Sequence, residues 1–378
     1  MKHFVIISDS FKGTLSSKEI CNIFCDIVPQ YYPDCHIDKI PISDGGEGFL
    51  DFYESYIHCR RIHTNITGPD FQKIESYYLL TDDNRAIIEL AKCSGLNLTT
   101  LFDPSKTTTY GVGEQILHAI INYHVSSIII GVGGSCTNDC GFGALCALGL
   151  KCYTKEGEMF TPVGYNMNLI DHYDTSILNQ TLLDTNITIY SDVKNVMFGK
   201  NGSAHTFAKQ KGADDKMIQL LDNNMRYVNN TFITYTGKDV SNIPSSGAAG
   251  SFNSSFFAFT NANIVSGIDY LLDTIHFKDM INKDTIVFTG EGKLDSQSRN
   301  GKVVSGVSKI AKSKGCTIIG ICGCIENDEQ SYIDLFDKVF ALVKDTKNTS
   351  FETIRKNAKD NYIKALKESL LFIKNNIK

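Results

Sequence analysis

The chain has 378 residues, of which 42% are hydrophobic and 21% are charged, and its formal net charge is −5. These values predict a globular protein that is long enough for two domains. They argue against a nucleic-acid-binding protein, because no surplus of basic residues is available to replace the counterions of phosphate groups.

The first part of the chain predicts two successive βα units. The predicted elements are a strand at 4–7, a helix over 17–28, a strand at 35–40 and a helix that ends near residue 56. The first strand leads to a loop that contains Ser10 and Lys12, and the second leads to a loop that contains Asp44. Because ligands of open parallel sheets bind at the carboxyl ends of the strands, we expect these two loops to carry site residues.

From residue 58 the pattern becomes that of an antiparallel meander, because short β-rich runs are separated by turn residues. The predicted strands of this meander lie at 61–66, 74–80 and 85–90. The βα alternation then returns. Thr107 and Thr108 belong to a threonine run that precedes a helix ending near residue 122, and a central strand follows at 127–130.

Glycines and small polar residues follow this central strand. Gly131, Gly133 and Gly134 permit a sharp turn that exposes backbone N–H groups, and Asn138 or Asp139 is suited to cap the next helix. A strand, a glycine turn and a helix N-terminus together form an anion site suited to phosphate. The polar side chains in this loop, which phosphate with Mg²⁺ would require, are Ser135, Thr137, Asn138 and Asp139.

The rest of the chain continues the mixture of helices and strands. Helices are predicted at 140–148, 203–209, 214–234, 268–275 and 302–314, with a phenylalanine-rich helix after residue 247 and an amphipathic helix at the end. Strands are predicted at 186–190, 285–288, 316–321 and 338–342. The first of these strands is followed by Ser191 and Asp192, and the second is followed by Glu291, Lys293 and Asp295.

No targeting or metal-binding pattern is recognisable. The twelve cysteines form no C-x-x-C pair, and the nine histidines show no recurring spacing with cysteines or carboxylates. We therefore expect reduced, buried thiols, and histidines that are solvated or packed. The first residues hold too short an apolar run for a signal peptide, and no run approaches a membrane span. A cytoplasmic protein without a membrane partner is expected.

The polar residues at the predicted strand ends suit phosphoryl transfer. This chemistry needs lysine and Mg²⁺ to neutralise charge, backbone amides to hold phosphates, and a carboxylate to accept the proton of the acceptor hydroxyl. The usual nucleotide-binding signatures, a P-loop, a dinucleotide fingerprint and the protein-kinase motifs, do not occur in the sequence. The residues alone therefore indicate an α/β enzyme that handles phosphate groups.

Seven segments resemble, in the same order, the motifs of the type 1 glycerate kinase family. They are DSFKGTLS (9–16), DGGEG (44–48), TTTYGVGE (107–114), GVGGSCTND (131–139), QKGA (210–213), GAAG (247–250) and TGEGKLD (289–295). The resemblance extends over residues 3 to about 345. Cysteine at 136 and 140 and serine at 251 replace the small residues that are usual in the family.

The resemblance implies ATP-dependent, Mg²⁺-requiring phosphorylation of D-glycerate, usually to 2-phosphoglycerate, with 3-phosphoglycerate as the other product. It also implies two α/β domains with the active site in the cleft between them. We expect a flavodoxin-like domain with a mainly parallel sheet, formed by residues 1–75 and 265–378. We expect an inserted domain with a mixed sheet at residues 76–264.

Roles are assigned on this hypothesis. Asp192 is the preferred general base, Lys12 neutralises charge, and Asp44 and Asp295 are alternative bases or bind Mg²⁺ through water. The expected substrate and phosphate contacts are Ser10, Thr107, Thr108, Gly133, Gly134, Ser135, Thr137, Asn138, Lys293 and Asp295. The alternatives left open are a flavin- or nucleotide-binding protein without kinase activity and a silent binding module. The choice between monomer and homodimer is also open.

Overall fold

The computed structural model describes residues 1–42, 45, 46, 48–182, 184–295, 298, 302–326, 329–343 and 349–377. The strands are β1 (His3–Ser8), β2 (His36–Pro41), β3 (Cys59–Thr67), β4 (Lys73–Thr81), β5 (Arg85–Glu89), β6 (Ser127–Gly131), β7 (Lys151–Tyr153), β8 (Met159–Phe160), β9 (His172–Asp174), β10 (Asn186–Ser191), β11 (Asn263–Ser266), β12 (Thr285–Thr289), β13 (Lys293–Leu294), β14 (Thr317–Cys322), β15 (Cys324–Ile325) and β16 (Lys338–Ala341). The α-helices are α1 (Ser17–Tyr31), α2 (Phe49–Tyr56), α3 (Ala91–Ser94), α4 (Tyr110–Tyr123), α5 (Phe142–Ala147), α6 (Ser176–Thr181), α7 (Asp215–Thr236), α8 (Ala248–Phe259), α9 (Gly267–Thr274), α10 (Phe277–Met280), α11 (Val303–Ser313) and α12 (Phe351–Asn376).

Two predicted helices differ from the observed elements. The helix predicted over 140–148 begins only at Phe142, because Cys140 and Gly141 adopt left-handed φ values of 52° and 77°. The helix predicted over 203–209 is a π-helical turn at Ala204–Ala208, which continues into a 3₁₀ turn at Lys209–Lys211. π-Helical turns are frequent at functional sites, and this one leads directly into the QKGA segment.

The chain forms two compact units, one of Met1–Asp44 with Ser266–Lys378 and the other of Gly45–Val265. The predicted first boundary at residue 75 differs from this division. Strand β3 pairs with β4 along its whole length, from Cys59 opposite Thr81 to Thr67 opposite Lys73. A strand paired in this way belongs with its partner, so the segment after residue 44 is part of the second unit.

The first unit contains a five-stranded parallel sheet in the order β16-β14-β12-β1-β2. When the five strands of this sheet are numbered by their order in the chain, the order from the β2 edge is 2-1-3-4-5, which is the flavodoxin-like arrangement. The predicted flavodoxin-like fold is therefore confirmed. In this arrangement the sheet reverses its strand order between β1 and β12, and ligands of such folds bind at the carboxyl ends of the strands at that point.

Helices cover the sheet of the first unit because its strands are apolar on both faces. Phe4 and Ile6 point into a core that is shared with α1 and α12, where Phe24 and Tyr362 are fully or almost fully buried. The alternate residues of β1 are also buried. A parallel strand that is covered on both faces reads as a continuous apolar run, which is the pattern that predicted β1.

The second unit contains a mixed six-stranded sheet in the order β11-β10-β6-β5-β4-β3. Strands β3, β4 and β5 form the predicted antiparallel meander, whereas β5, β6 and β10 run parallel. The register pairs Gly131 of β6 with Glu89 of β5 and with Tyr190 of β10. The carboxyl ends of these three strands therefore lie side by side, and the loops that follow them share one edge of the sheet.

No helix in the described part of the chain has both the length and the apolar character needed to cross a membrane.

Candidate functional site

The loop between β6 and α5 is held in a tight turn by its glycines. A Cβ atom at Gly133 would lie 2.5 Å from the Cα of Gly46, and Gly134 has a left-handed φ of 73°. On its other side the loop forms an isolated β-bridge between Ser135 and Gly95. Backbone thus confines the loop on both sides, and position 133 has no room for a side chain.

The amide groups of this loop are available to a ligand. Within the described residues no acceptor is found for the N–H groups of Gly134, Ser135, Thr137, Asn138 and Asp139. Thr137 Oγ1 and both amide atoms of the Asn138 side chain are buried and also lack partners there. Buried polar groups in folded proteins are nearly always paired, and successive free amides in such a turn form an anion-binding concavity. The loop therefore has the features of an anion site, and its binding of phosphate stays a prediction.

A buried lysine lies against the same loop. Lys211 Nζ donates hydrogen bonds to Ser135 Oγ at 2.9 Å and to the Thr137 carbonyl at 2.7 Å, and the residue is 2% exposed. Among the described residues no carboxylate lies within ion-pair distance of this ammonium group. Burial lowers the pKa of Lys211 to about 8. The sequence-based reasoning missed this residue, although the QKGA segment contains it.

Two of the predicted site residues, Thr107 and Thr108, form hydrogen bonds within the protein near the glycine loop. Thr107 Oγ1 donates to the Cys136 carbonyl at 3.0 Å, and Thr108 Oγ1 accepts from the Tyr110 N–H at the start of α4. Both threonines are fully buried. Their hydroxyl groups therefore form hydrogen bonds within the protein, to the glycine loop and to the start of α4, and their predicted role in substrate or phosphate contact stays a prediction.

The Asp139 carboxylate, and not the Asn138 side chain, accepts hydrogen bonds from amide groups at the start of α5, whose N-cap position is Gly141. The carboxylate accepts from the Gly141 and Gly143 N–H groups at 3.1 and 3.2 Å, and from the N–H and hydroxyl of Thr109 at 2.8 and 2.7 Å. Burial raises the pKa of Asp139, and these four hydrogen bonds oppose that shift. The carboxylate thus joins the starts of α4 and α5, and it fixes the far end of the glycine loop.

The start of α8 packs against the glycine loop in a strained conformation. Ala249, Gly250 and Ser251 all have left-handed φ values, of 50°, 72° and 64°. The Gly250 carbonyl accepts the Cys140 N–H at 3.1 Å, and a Cβ atom at Gly250 would lie 2.0 Å from the Thr137 carbonyl oxygen. Non-glycine residues in this conformation cost about 1–2 kcal/mol each, and such strain concentrates at functional sites.

We expect the substitution Gly250→Ala to lower the free energy of unfolding by about 3 kcal/mol or more, because left-handed strain and overpacking against the backbone add together. The measurement is chemical denaturation. Gly237→Ala is the matched control, since Gly237 has a similar φ of 73° but a Cβ there meets nothing within 4 Å. That variant should lose only about 1 kcal/mol. Equal losses in the two variants would contradict the close packing of Gly250 on the loop.

Asp192 follows β10 at the same edge of the sheet. The Val132 N–H, at the beginning of the glycine loop, donates to the Tyr190 carbonyl of β10 at 3.3 Å. Asp192 lies two residues beyond Tyr190 and is partly exposed. The structure thus brings the predicted base to the strand end that adjoins the glycine loop, as expected from parallel pairing.

The first unit carries its own polar loops at the switch point between β1 and β12. The Asp9 N–H donates to the Gly290 carbonyl at 3.0 Å, and the Asp9 carboxylate accepts from the Ser10 N–H at 2.7 Å. Glu291, which is 5% exposed, pairs with Lys302 at 3.0 Å, while its Oε1 is buried without a partner among the described residues. Burial raises the pKa of Glu291, and Lys302 opposes that shift. Two buried carboxylates therefore occupy this edge.

The remaining predicted residues of the first unit lie in or near these loops. Asp295 Oδ1 is 3.9 Å from Lys302 Nζ, beside the pair just described. Lys293 is exposed and pairs with Glu326 at 2.9 Å. Lys12 is exposed in the loop after β1. Asp44 lies outside the described residues.

Replacing Lys302 by methionine should destabilise the first unit by about 2–3 kcal/mol at pH 7, because it leaves a buried carboxylate unpaired. The pKa of Glu291 then rises further. Between the ordinary and the raised pKa the native state binds a proton that the unfolded state lacks, so the deficit grows as pH rises through that window. Denaturation at several pH values measures it. The double variant Glu291→Gln/Lys302→Met should recover most of the loss, and a double variant as unstable as the single one would contradict this account.

The fold and the loops together are those of an α/β protein with polar loops at the carboxyl ends of its strands. Its glycine turn contacts the buried Lys211 and holds amides without acceptors among the described residues, an arrangement suited to handling phosphate. Comparisons with known proteins then identify the family. The model of the glycerate kinase family matches residues 4–373. The chain therefore belongs to the glycerate kinase family, whose named members are phosphotransferases that act on an alcohol group.

Relatives with this family name cover nearly the whole chain. Glycerate 2-kinase of Escherichia coli K12 is 36% identical over 327 residues, which is 86% of each chain. Glycerate kinase of Bacillus cereus is 35% identical over 361 residues, which is 94% of each chain. The crystal structure of a candidate glycerate kinase 2 from Salmonella typhimurium LT2 superposes with a TM-score of 0.79 at 32% sequence identity. The match covers 99% of this chain and 98% of the Salmonella chain.

Proposed function

We propose that the protein transfers the γ-phosphoryl group of ATP to D-glycerate and that the product is 2-phosphoglycerate. The observation that carries this proposal is the turn at 133–139, whose amides lack acceptors and which rests on the ammonium group of Lys211. Membership of the glycerate kinase family supplies the substrate class. The name of the Escherichia coli relative, glycerate 2-kinase, favours the 2-hydroxyl over the 3-hydroxyl as the acceptor.

The proposed roles follow from the second unit's loops. The free amides of the glycine turn bind phosphate oxygens, and Lys211 keeps the turn in shape and adds positive potential beneath it. Asp192 accepts the proton of the attacking hydroxyl group, whose oxygen forms the new bond to phosphorus as ADP leaves. In this proposal the amides bind phosphate, Lys211 positions the turn, and Asp192 moves a proton.

The first unit's residues fit a bound Mg²⁺ ion. Mg²⁺ takes carboxylate oxygens and keeps several waters, and Glu291 Oε1 is a buried oxygen without a partner in the described part of the chain. We assign Mg²⁺ to Asp295 and Asp44, as the sequence suggested, with Glu291 as an addition. When it is bound with ATP, the ion neutralises phosphate charge. Lys12 keeps its predicted role of charge neutralisation, and we place the reaction in the cytoplasm.

The test is ADP release with Mg·ATP and D-glycerate, with the product identified by NMR. ADP formation should depend on D-glycerate, and phosphorus coupling should appear at the C2 proton. ADP formation that is independent of D-glycerate would remove the proposal. Phosphorylation at the 3-hydroxyl would keep the kinase and change the product. A purified protein with flavin absorbance and no ADP formation would favour the flavin-binding alternative.

A further inference from the structure

Two histidines and one aspartate meet at the amino ends of β1 and β2. His3 and His36 are the first residues of these strands and stand opposite each other in the parallel register. His36 and Asp38 lie on the same face of β2, because side chains alternate along a strand. His3 Nε2 is 2.7 Å from Asp38 Oδ2, and His36 Nε2 is 3.3 Å from Asp38 Oδ1. One ligand atom from each of the three residues lies within 4.8 Å of the others.

The chemistry of this cluster suits a borderline transition metal. Imidazole nitrogen and carboxylate oxygen bind Zn²⁺ at 2.0–2.2 Å in a tetrahedron, which places the ligand atoms roughly 3.3 Å apart. The two histidine–carboxylate separations, 2.7 and 3.3 Å, lie below or at that value. His3 Nδ1 is also 3.1 Å from Thr285 Oγ1, a contact of the kind that orients metal-binding histidines. The side chains of His3, Asp38 and His36 are 21%, 25% and 55% exposed, so an ion with bound water can reach them.

We propose that His3, His36 and Asp38 bind a divalent transition-metal cation, Zn²⁺ in particular, and that the ion joins β1 to the edge strand β2. The site is separate from the loops at the carboxyl ends of the strands, since β1 places His3 about 20 Å from Asp9 at 3.3 Å per residue. It therefore stabilises the first unit instead of taking part in phosphoryl transfer. Metal binding must displace the protons through which the histidines hydrogen-bond to Asp38, so Zn²⁺ competes with those hydrogen bonds.

The experiment uses the full chain after treatment with a chelator. Zn²⁺ binding is measured by calorimetry for the parent protein and for the variants His36→Ala and Asp38→Asn. The control is His58→Ala, because His58 forms a histidine–aspartate pair with Asp82 at 2.7 Å on an exposed surface, with no third ligand among the residues that the structure describes. We expect at least a tenfold loss of affinity in the two variants and no change in the control. Zn²⁺ should raise the Tm of the parent and of the control only.

Cobalt substitution distinguishes this site from the cysteines. The partly exposed thiols are those of Cys25, Cys35, Cys59, Cys146 and Cys324. Co²⁺ at the histidine–aspartate site should give visible d–d bands without a thiolate-to-cobalt charge-transfer band. The proposal is overturned if the parent does not bind Zn²⁺, if both site variants bind it as tightly as the parent, or if the charge-transfer band appears. His36→Gln, checked by circular dichroism, repeats the test with a side chain closer in size.

Discussion

Replacement of Lys211 by methionine is expected to reduce kcat/KM by at least about 100-fold, the loss seen when a preorganised charge-stabilising group is removed. The ammonium group donates to Ser135 and to the Thr137 carbonyl, so its removal takes away two hydrogen bonds that hold the turn and the positive charge next to the amides that we propose bind phosphate. The measurement is steady-state kinetics with Mg·ATP and D-glycerate. Lys209→Met is the matched control, because Lys209 is exposed in the same 3₁₀ turn.

The stability of this variant should change little, which separates function from folding. The pKa of Lys211 falls from 10.5 to about 8, which corresponds to about 3 kcal/mol of destabilisation by the buried charge. Methionine removes that cost but leaves the Thr137 carbonyl without its donor, which costs about 1–3 kcal/mol. The two terms nearly offset each other. A folded variant with near-normal activity would contradict the role of Lys211.

The pH dependence of activity and of stability gives a second test of the role of Lys211. As pH rises through about 8, Lys211 loses its proton in the native state, and we expect activity to fall. Because the unfolded state still binds that proton up to about pH 10.5, the contribution of this group to the free energy of unfolding increases between pH 8 and 10.5. Both effects should be absent from Lys211→Met and present in Lys209→Met. A purely packing role for Lys211 would leave the activity profile unchanged.

Asp192→Asn is expected to lower kcat by about 10²–10⁴-fold, the range typical of removing a general base. Asparagine keeps the size of the side chain but cannot accept the hydroxyl proton, so the fold and ATP binding should be retained. The measurement is single-turnover kinetics with ATP affinity determined in parallel. Asp184→Asn is the matched control, because Asp184 is exposed near the opposite, amino end of β10.

The outcome for Asp192 assigns the base. Loss of kcat with unchanged ATP affinity would support Asp192 as the group that takes the proton. Retained kcat would keep the kinase and move the base to Asp295 or Asp44, the two alternatives from the sequence. Equal losses in Asp192→Asn and Asp184→Asn would point to a general effect on β10 and would remove the catalytic assignment.

The predicted strands were found because burial leaves a local trace in the sequence. Runs such as 4–7 and 128–130 are continuously apolar, since helices or other strands cover both faces of the sheets. The glycine turn was equally visible, because its backbone needs residues without a side chain at 133 and 134. Periodicity and glycine spacing are properties of neighbouring residues, so they can be read without knowing the fold.

Features set by distant contacts could not be read in this way. Lys211 is buried only because it meets a loop 74 residues earlier in the chain. The boundary at residue 44 depends on the pairing of β3 with β4, which the sequence shows as a hairpin but does not assign to a unit. His3 and His36 come together through the parallel register of β1 and β2. In each case a contact between distant parts of the chain, and not a local sequence pattern, determines the surroundings of the residue.

The discontinuous first unit has a consequence for synthesis on the ribosome. Strand β1 emerges first, yet its neighbour β12 begins at Thr285, opposite His3. Until then one side of a strongly apolar strand has no partner, and unpaired strand edges promote aggregation. The second unit is continuous from Gly45 to Val265, so its core can form before the C-terminal part of the first unit has been synthesised. We therefore expect the nascent chain to be most prone to aggregation during the interval between the emergence of β1 and that of β12.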